Sequence, residues 1–321
     1  MTNPLLTVNN LQVNFQTESG LVKAVDGVSF TLEEGEILGL VGESGCGKSV
    51  TALSLLRLIP SPPGQISGGE ILWRNRDILK LPLAEVIRLR GWEIGMIFQE
   101  PLTSFNPVQT IGAQLAEALK VHTHMHDKAI REKVIEGLQR VGIPDPKRQY
   151  HAYPHELSGG MRQRAMIAMA LICHPQAVIA DEPTTALDVT IQAQILELLQ
   201  QLQAENGMSV LLITHNLGII AEIAQRVAVM YAGKIVEIST VRELFHNPLH
   251  PYTEGLLRSI PTAGRSGALY AIPGQVPDAF AMPAGCYFEP RCPKAREICR
   301  QQHPGLKLVK VGHSVACWLY N

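Results

Sequence analysis

The alternation of apolar and polar residues near the start of the chain predicts antiparallel strands. Apolar residues fall at every second position from Leu11 to Phe15 and again from Val28 to Leu32, as in strands with one face toward water. Residues 36–41 are almost continuously apolar, which is typical of a strand covered on both faces. This strand runs directly into a glycine-rich segment and then a helical pattern over residues 50–59.

Beyond that helix, the spacing of apolar positions changes several times. From residue 177 onward, strand-like and helix-like segments alternate as βαβα, which predicts a parallel sheet. After residue 253 the chain is rich in proline and glycine, which is typical of an appended segment. The predicted elements are a hairpin over 66–80, helices over 82–90, 111–142, 158–173, 191–204 and 217–224, and strands over 177–180 and 209–214.

Composition narrows the class of protein. The 321 residues correspond to roughly two domains, and 28 basic against 29 acidic residues give a net charge of −1. This balance argues against nucleic-acid binding through a broad basic field and against a polybasic membrane anchor. Charged residues make up only 18%, which indicates surface covered by partners. The apolar stretches are shorter than the ~20 residues of a membrane span, and no signal-peptide pattern is visible. We therefore expect a soluble cytoplasmic protein.

The glycine-rich segment fits the phosphate-binding pattern G-x-x-x-x-G-K-[ST]. Its glycines let backbone N–H groups turn toward phosphate oxygens at a helix N-terminus, which already favours anions. Lys48 is expected to reach the β- and γ-phosphates and Ser49 to coordinate Mg²⁺. The alternative is a glycine-rich turn without a ligand. The predicted ATP-binding residues here are Gly42, Glu43, Ser44, Gly45, Cys46, Gly47, Lys48, Ser49 and Val50.

Two carboxylates end the apolar strand 177–180. Successive side chains of a strand point to opposite faces, so the two acids are expected to have different roles. Asp181 suits the Mg²⁺ site, and Glu182 suits polarising an attacking water. The alternative is a pair of acids that only caps the turn after the strand.

A second candidate phosphate site precedes the helix predicted over 158–173. Ser158 stands at the N-cap position, and glycines, including Gly160, expose the N–H groups of the first turn. One ATP cannot use both phosphate sites within one lobe, so we expect a dimer in which Ser158 and Gly160 of one subunit close on the γ-phosphate held by the other. The alternative is a plain helix cap. His215, after the strand 209–214, is a candidate to hydrogen-bond the γ-phosphate, although a histidine at a strand end is ordinarily structural.

The order of these motifs resembles that of the ATPase subunits of ABC transporters over residues 5–255. The resemblance implies an α/β P-loop NTPase fold, with a RecA-like core, an antiparallel β subdomain and a helical signature subdomain at about 100–172. It places an ABC ATPase domain at 1–255 and a C-terminal extension at 256–321. The motifs are Gly42–Ser49, Gln99, Leu157–Met161, Ala177–Glu182, Ala186–Asp188 and His215.

The same resemblance implies roles for three further residues. Phe15 resembles the aromatic residue that stacks on adenine, with an ordinary core phenylalanine as the alternative. Gln99 resembles the residue that joins the Mg²⁺ site to the transmembrane partner, with a solvated loop residue as the alternative. Asp188 resembles the residue that communicates across the dimer. One departure is Met161, where the common pattern has glutamine.

Three segments narrow the resemblance to the ATPases of dipeptide and oligopeptide importers, a group that includes nickel and glutathione importers. They are Gln99–Pro107, His250–Thr253 and Gly285–Pro293. The resemblance implies a homologous second ATPase subunit, two transmembrane permeases and an extracytoplasmic substrate-binding protein, with this chain peripheral at the cytoplasmic face of the inner membrane. No nucleic-acid partner is implied. The solute stays open among dipeptides, longer peptides, nickel chelates, glutathione and haem.

Four of the six cysteines lie close to the C-terminus. Four thiolates suit Zn²⁺ or a [4Fe–4S] cluster, and no C-x2-C pair favours zinc. His303 and His313 are nearby in sequence and could replace thiolates in a zinc site. Resemblance to the dipeptide importer subunit whose tail carries an iron–sulfur cluster favours [4Fe–4S]; zinc and unliganded or disulfide-bonded cysteines are the alternatives. The proposed ligands are Cys286, Cys292, Cys299 and Cys317.

The sequence thus predicts an ATPase that powers import of a small peptide-like solute, with ATP, Mg²⁺ and the cluster as cofactors. The competing class is a soluble ABC-type ATPase in DNA repair or on ribosomes. Such proteins usually carry two cassettes or a long coiled-coil insertion, and neither is visible in this chain. A third class is a regulatory or iron-sensing module built on the cysteine tail.

Overall fold

The computed structural model describes residues 4–185, 187–260 and 270–321. Ala186 and part of the proline- and glycine-rich stretch, residues 261–269, lie outside the described residues. The strands are β1 (Leu6–Thr17), β2 (Gly20–Leu32), β3 (Ile37–Val41), β4 (Gly64–Trp73), β5 (Arg76–Asp77), β6 (Ile94–Ile97), β7 (Ala177–Asp181), β8 (Ser209–Thr214), β9 (Arg226–Tyr231), β10 (Lys234–Thr240), β11 (Lys307–Lys310) and β12 (His313–Val315). The α-helices are α1 (Lys48–Leu55), α2 (Leu83–Leu89), α3 (Pro101–Ser104), α4 (Ile111–His122), α5 (Asp127–Arg140), α6 (Pro146–Gln149), α7 (Gly159–Leu171), α8 (Val189–Asn206), α9 (Leu217–Ile223), α10 (Val241–His246), α11 (Pro251–Arg258) and α12 (Glu297–Gln301).

The chain divides into two compact units. The first comprises Met1–Glu33, Ile37–Lys80 and Thr214–Asn321, and the second comprises Glu34–Glu36 and Leu81–Ile213. No helix in the described part of the chain combines the length and apolar character needed to span a bilayer.

The first unit contains the antiparallel sheet that the alternating pattern predicts. Its strand order is β2-β1-β4-β5, and β1 pairs with both β2 and β4 in antiparallel register. The hairpin predicted over 66–80 is confirmed as β4 and β5. The core on one face of these strands includes Leu11, Val13 and Trp73, none of them measurably exposed.

The first unit also holds β3, which was predicted, and the strands β9 to β12, which were not. β3 is buried along its whole length, as expected, and pairs in parallel with β9. β10 pairs antiparallel with β9, β12 with β10, and β11 with β12. The C-terminal extension therefore adds strands to the same sheet that carries β3.

The second unit holds three parallel strands and most of the helices. β7 pairs in parallel with both β6 and β8, which confirms the parallel sheet predicted from the βαβα alternation. The helix predicted over 158–173 is confirmed as α7. α4, α5 and α7 pack on one another.

The single helical stretch predicted over 111–142 is wrong, because the structure has two helices with a break at residues 123–126. Thr123 adopts an extended conformation (φ −134°, ψ 160°). Its Oγ1 donates to the Leu119 carbonyl at 2.7 Å and accepts a hydrogen bond from the N–H of Met125 at 3.5 Å. A threonine side chain that competes for backbone groups in this way ends a helix.

Candidate active site

The glycine-rich loop joins β3 to α1 and adopts a conformation that needs glycine. Gly47 has φ 103°, and a Cβ atom there would collide with the carbonyl oxygen of Ala24. A Cβ atom on Gly42 would collide with the carbonyl oxygen of Met230. The backbone is thus packed too closely for side chains at both ends of the loop, which leads directly into the N-terminus of α1.

Lys48, the first residue of α1, is buried and turned back over the loop. Its Nζ donates to the carbonyl oxygens of Gly42 at 3.0 Å and Glu43 at 3.1 Å. Ser49 follows in the first helical turn, half-buried. An ammonium group and helix N–H groups gathered around one glycine-rich turn have the chemistry to bind phosphate, so the residues present fit ATP.

Two residues from far along the chain hold the start of this loop, and sequence reasoning did not assign them a role. Arg291 forms two hydrogen bonds to the Glu43 carboxylate, at 2.8 and 3.1 Å. The N–H of Glu43 donates to Tyr252 Oη at 3.0 Å. Tyr252 lies in the segment 250–253 and Arg291 in the segment 285–293, which the sequence analysis used only to narrow the family. Their presence in those two segments was the available sign that they have a role.

In the second unit, Asp181 and Glu182 follow one another at the end of β7. Asp181 is buried, with 4% of its surface exposed. Glu182 has φ 45°, in the left-handed region. Its Oε2 accepts hydrogen bonds from Thr185 Oγ1 at 2.8 Å and from Gln99 Nε2 at 3.5 Å. Gln99 therefore lies beside Glu182 in the structure. Thr185 is a second neighbour of the carboxylate, which the sequence analysis did not identify.

The residues predicted to act across a dimer occupy helix N-termini of the second unit. The Ser158 hydroxyl caps α7 by accepting from the N–H of Met161 at 3.3 Å. Asp188 caps α8 by accepting from the N–H of Ile191 at 2.9 Å. Gly160 lies in the first turn of α7, and a Cβ atom there would stand 3.1 Å from Ile191 Cγ2. The N-cap position predicted for Ser158 is confirmed, and the roles in a dimer stay predictions.

Phe15 and His215 belong to the first unit. Phe15 lies near the end of β1, half-buried, opposite Val22 and Gly64. His215 follows β8 with an exposed side chain. Their roles toward adenine and the γ-phosphate stay predictions.

The four cysteines of the extension lie near one another. The thiols of Cys292, Cys299 and Cys317 each raise the pKa of Cys286, but burial is the main cause, and that pKa reaches about 11. Cys317 is affected in the same direction by Cys292 and Cys299. All four are free thiols. Within residues 4–185, 187–260 and 270–321, no group of three or more histidine, cysteine or acidic side chains is arranged to hold a metal ion.

The two candidate histidines have other neighbours. His313 is buried with its Nε2 2.7 Å from Glu237 Oε1. His303 packs edge-on against Tyr287, with ring centroids 5.1 Å apart. These contacts give no support to histidine ligands among the cysteines.

Two family descriptions match the chain. The ABC transporter family matches residues 25–185, which include the glycine-rich loop and both carboxylates. The family described as the C-terminal region of oligopeptide/dipeptide transporters matches residues 236–299. The second match spans β10, α11 and the segment that contains Arg291.

Relatives match over nearly the whole chain. It is 52% identical to the dipeptide transport ATP-binding protein DppD of Bacillus subtilis (strain 168), covering 98% of this chain and 94% of that protein. It is 50% identical to the oligopeptide transport ATP-binding protein OppD of the same organism, covering 98% and 88%. Among solved structures, the dimeric bacterial ABC transporter cassette MJ0796 superposes with a TM-score of 0.66 at 26% identity, covering 74% of this chain and 99% of that one. The chain therefore belongs to the ABC transporter family, and within it to the ATP-binding subunits of the dipeptide and oligopeptide importer group.

Proposed function

We propose that this chain hydrolyses ATP at the loop 42–49 to power uptake of a dipeptide or short peptide through partner permeases. The observation that carries the proposal is Lys48, whose buried ammonium is held over the carbonyls of Gly42 and Glu43, where phosphate oxygens can replace those carbonyls as its partners. The peptide solute rests on the relatives, whose names specify dipeptide and oligopeptide transport. The boundaries 1–255 for the ATPase domain and 256–321 for the extension are part of the proposal.

In the proposed reaction, water attacks the γ-phosphorus while Glu182 accepts a proton from it. A bond forms between the water oxygen and phosphorus, the bond to the β-phosphate oxygen breaks, and ADP and phosphate leave. Gln99 and Thr185 both donate to the Glu182 carboxylate and so orient it. His215 hydrogen-bonds the γ-phosphate, and Phe15 stacks on adenine. Most of the acceleration comes from positioning and charge neutralisation.

The three residues predicted to bind Mg²⁺ have suitable oxygen donors. Ser49, Gln99 and Asp181 supply hydroxyl, amide and carboxylate oxygens, the ligand types that magnesium takes in proteins. When bound, Mg²⁺ neutralises charge on the phosphates. The buried Asp181 carboxylate is the strongest of these ligands, because a buried carboxylate favours a cation beside it.

ATP joins two ATPase subunits in this proposal. The loop 42–49 of one subunit and Ser158 and Gly160 of the other hold the same nucleotide, while Asp188 passes the state of one site to the next. The pairing is supported by the dimeric relative, whose related structure holds ADP and phosphate. The natural partner is a second, homologous ATPase subunit. Both work beneath two permeases at the cytoplasmic face of the inner membrane.

Extraction of the chain from its native membrane tests the transport proposal. We expect detergent to release it together with two polytopic proteins, and the complex to hydrolyse ATP. The variant Lys48→Ala should copurify equally well and lack hydrolysis. Stable association with DNA or ribosomes instead of membrane proteins would favour the competing class of ABC-type ATPase.

We also propose that the extension binds a [4Fe–4S] cluster through Cys286, Cys292, Cys299 and Cys317. The support is the resemblance of the tail, together with the proximity of the thiols, since Cys292, Cys299 and Cys317 each act on the pKa of Cys286.

Metal analysis of anaerobically purified protein tests the cluster. We expect about four iron and four acid-labile sulfide per chain, as [4Fe–4S] requires, and loss of both in Cys292→Ser. Cys173→Ser is the matched control, because Cys173 is a buried cysteine of the second unit. Stoichiometric zinc without sulfide would show that the cysteines bind zinc and not an iron–sulfur cluster. Absence of both iron and zinc would show that they bind neither group.

A further inference from the structure

Arg291 of the extension is bound at the first variable position of the phosphate-binding loop. Its Nη1 and Nη2 donate to the two carboxylate oxygens of Glu43, at 2.8 and 3.1 Å. Only 5% of the Arg291 side chain is exposed. This two-point geometry is the strong and directional form of an arginine–carboxylate pair.

The guanidinium is itself fixed by other acceptors in the extension and in β9. Its Nε donates to the carbonyl of Pro273 at 3.0 Å, and Nη1 also reaches Tyr231 Oη at 3.4 Å. A lysine could not occupy this position with the same contacts, because it has neither the planar fork nor a donor for each acceptor.

Tyr252 of α11 holds the backbone of the same residue. The Glu43 N–H donates to its Oη at 3.0 Å. The Tyr252 ring is fully buried and packs on Tyr231 and Phe288, with ring centroids 4.6 and 5.4 Å apart. The hydroxyl is therefore presented from a rigid aromatic cluster.

The third polar group of Glu43 faces the active site, because its carbonyl oxygen accepts from Lys48 Nζ at 3.1 Å. The apex of the loop is less supported: Ser44 and Gly45 are exposed, and a Cβ atom on Gly45 would meet nothing within 4 Å. Arg291 and Tyr252 thus anchor the base of the loop at Glu43, whose carbonyl accepts a hydrogen bond from the phosphate-binding lysine.

We propose that Arg291 of the C-terminal extension and Tyr252 of α11 position the phosphate-binding loop, and that ATP affinity depends on this anchoring. The proposal rests on the proposed function, because it requires that the loop bind ATP. Both are positioning residues that act through Glu43 and not on the nucleotide. A loop held in its binding conformation loses less conformational entropy on binding ATP, so the anchoring raises affinity more than turnover.

The test measures ATP binding and the kinetics of hydrolysis in the full-length chain. For Arg291→Lys and Arg291→Gln we expect the ATP dissociation constant and KM to rise about tenfold, the factor that corresponds to 1.4 kcal/mol, while kcat changes less. Tyr252→Phe removes one oxygen and should raise KM in the same direction. Arg300→Gln is the matched control, because Arg300 pairs with Glu289 in the same extension at 2.9 Å but is exposed, and its KM should not change.

A double-substitution cycle separates positioning from general destabilisation. Once Glu43→Gln has removed the carboxylate, adding Arg291→Gln should produce little further increase in KM, because the two residues act through one contact. Additive effects, an unchanged KM in Arg291→Gln and Tyr252→Phe, or a fall in kcat alone would overturn the proposal. Failure of the wild-type chain to bind ATP more tightly than Lys48→Ala would instead refute the proposed function.

Discussion

Glu182 has a backbone conformation that few residues other than glycine adopt. Its φ of 45° lies in the left-handed region, which is uncommon for a residue with a Cβ atom. The N–H of Glu182 donates to the carbonyl of Ile213 at 2.9 Å, and Thr185 holds the carboxylate at 2.8 Å. Strain that neighbouring contacts maintain at one carboxylate is typical of a functional position.

Replacing Glu182 with glutamine tests its role as the base. Glutamine keeps the shape of the side chain but cannot accept a proton from water, so hydrolysis should fall about 10²- to 10⁴-fold, the usual contribution of a general base. ATP binding should persist, and an ATP-bound dimer should become long-lived. Phosphate release and size-exclusion chromatography with ATP measure the two effects.

The control for this substitution is Glu117→Gln, on the exposed side of α4, which should hydrolyse ATP at the wild-type rate. If Glu182→Gln hydrolysed ATP at the wild-type rate, Glu182 would not be the general base.

Residues whose function follows from local sequence were predictable, and residues that act through distant contacts were not. Lys48 and Glu182 each stand beside an apolar strand, in patterns that lie within a few residues. Arg291 meets Glu43 across 248 residues of sequence, and no local pattern encodes that meeting. The Thr185 contact to Glu182 was missed for another reason, because threonine next to a turn is common without any functional role.

At the scale of elements, α7 presents the residues expected to act across the dimer. Its N-cap, Ser158, satisfies the N–H of Met161, and the helix dipole adds partial positive charge at the same end. The Ser158 hydroxyl stabilises the helix as its cap, and the proposed contact to the γ-phosphate uses the same hydroxyl. A substitution that only removes the hydroxyl would therefore affect stability and phosphate binding together.

Ser158→Asp separates them. Aspartate caps a helix as well as serine does, so the free energy of unfolding should stay within about 0.5 kcal/mol of the wild-type value. Its negative charge should repel the γ-phosphate and abolish ATP-dependent pairing. Chemical denaturation and size-exclusion chromatography with ATP measure the two quantities.

Thr110→Asp makes the same exchange at the N-cap of α4 and should leave pairing intact. ATP-dependent pairing of Ser158→Asp at wild-type strength would contradict the proposed role of this helix.

The N-cap of α11 makes the stability of the folded protein dependent on pH. His250 is buried, and its Nδ1 accepts from the N–H of Tyr252 at 3.0 Å. Burial lowers the pKa of His250 to about 4; Glu237 opposes this shift and His303 adds to it. The folded protein therefore holds His250 neutral at pH values where the unfolded chain protonates it.

The folded-state pKa of His250 lies below the unfolded value, so its contribution is complete above about pH 6.5 and is lost as pH falls toward 4. Within that window the free energy of unfolding should fall by roughly 1 kcal/mol per pH unit from this group. His250→Asn keeps a capping side chain without a titrating group and serves as the reference. Denaturation of both proteins at pH 7 and pH 5 should show a larger loss for the wild type; equal losses would contradict the assignment.

The elements themselves were predicted unevenly, and the reason is physical. The continuously apolar strand β3 and the helix α7, which follows a serine at its N-cap, were predicted close to their true ends. α1 begins at Lys48 and ends at Leu55 instead of spanning 50–59, because Arg57 adopts φ 51° and no local pattern announces that turn. β12 was missed because it is three residues long and is stabilised by pairing with β10, which the sequence does not display.

At the scale of the whole molecule, the low charge content agrees with a subunit that works in an assembly. The proposed composite site between two chains leads to a more specific expectation, because it requires each chain to contribute different residues to the same nucleotide. Lys48 and Ser158 are then needed on opposite sides of every site.

Mixing two inactive variants of the chain alone tests that arrangement, because we expect two copies to pair on ATP in the absence of the homologous subunit, as in the dimeric relative. Lys48→Ala lacks the phosphate-binding ammonium, and Ser158→Asp lacks the residue that closes on the partner's nucleotide, so each variant alone should not hydrolyse ATP. In a mixed pair, one site combines both defects and the other has neither. Hydrolysis by an equimolar mixture should therefore return to roughly a quarter of the wild-type rate, because half of the pairs are mixed and each has one intact site.

The control is a mixture of Lys48→Ala with Glu182→Gln, two residues proposed to act on the nucleotide of their own subunit, so that each site of a mixed pair carries one of the two defects. The intact loop then always carries the glutamine and the intact base always faces the alanine, so no site recovers. No recovery in the first mixture, despite pairing with the wild-type chain, would show that Ser158 serves the nucleotide of its own subunit or none. Recovery in this control would show that Lys48 and Glu182 act on different nucleotides.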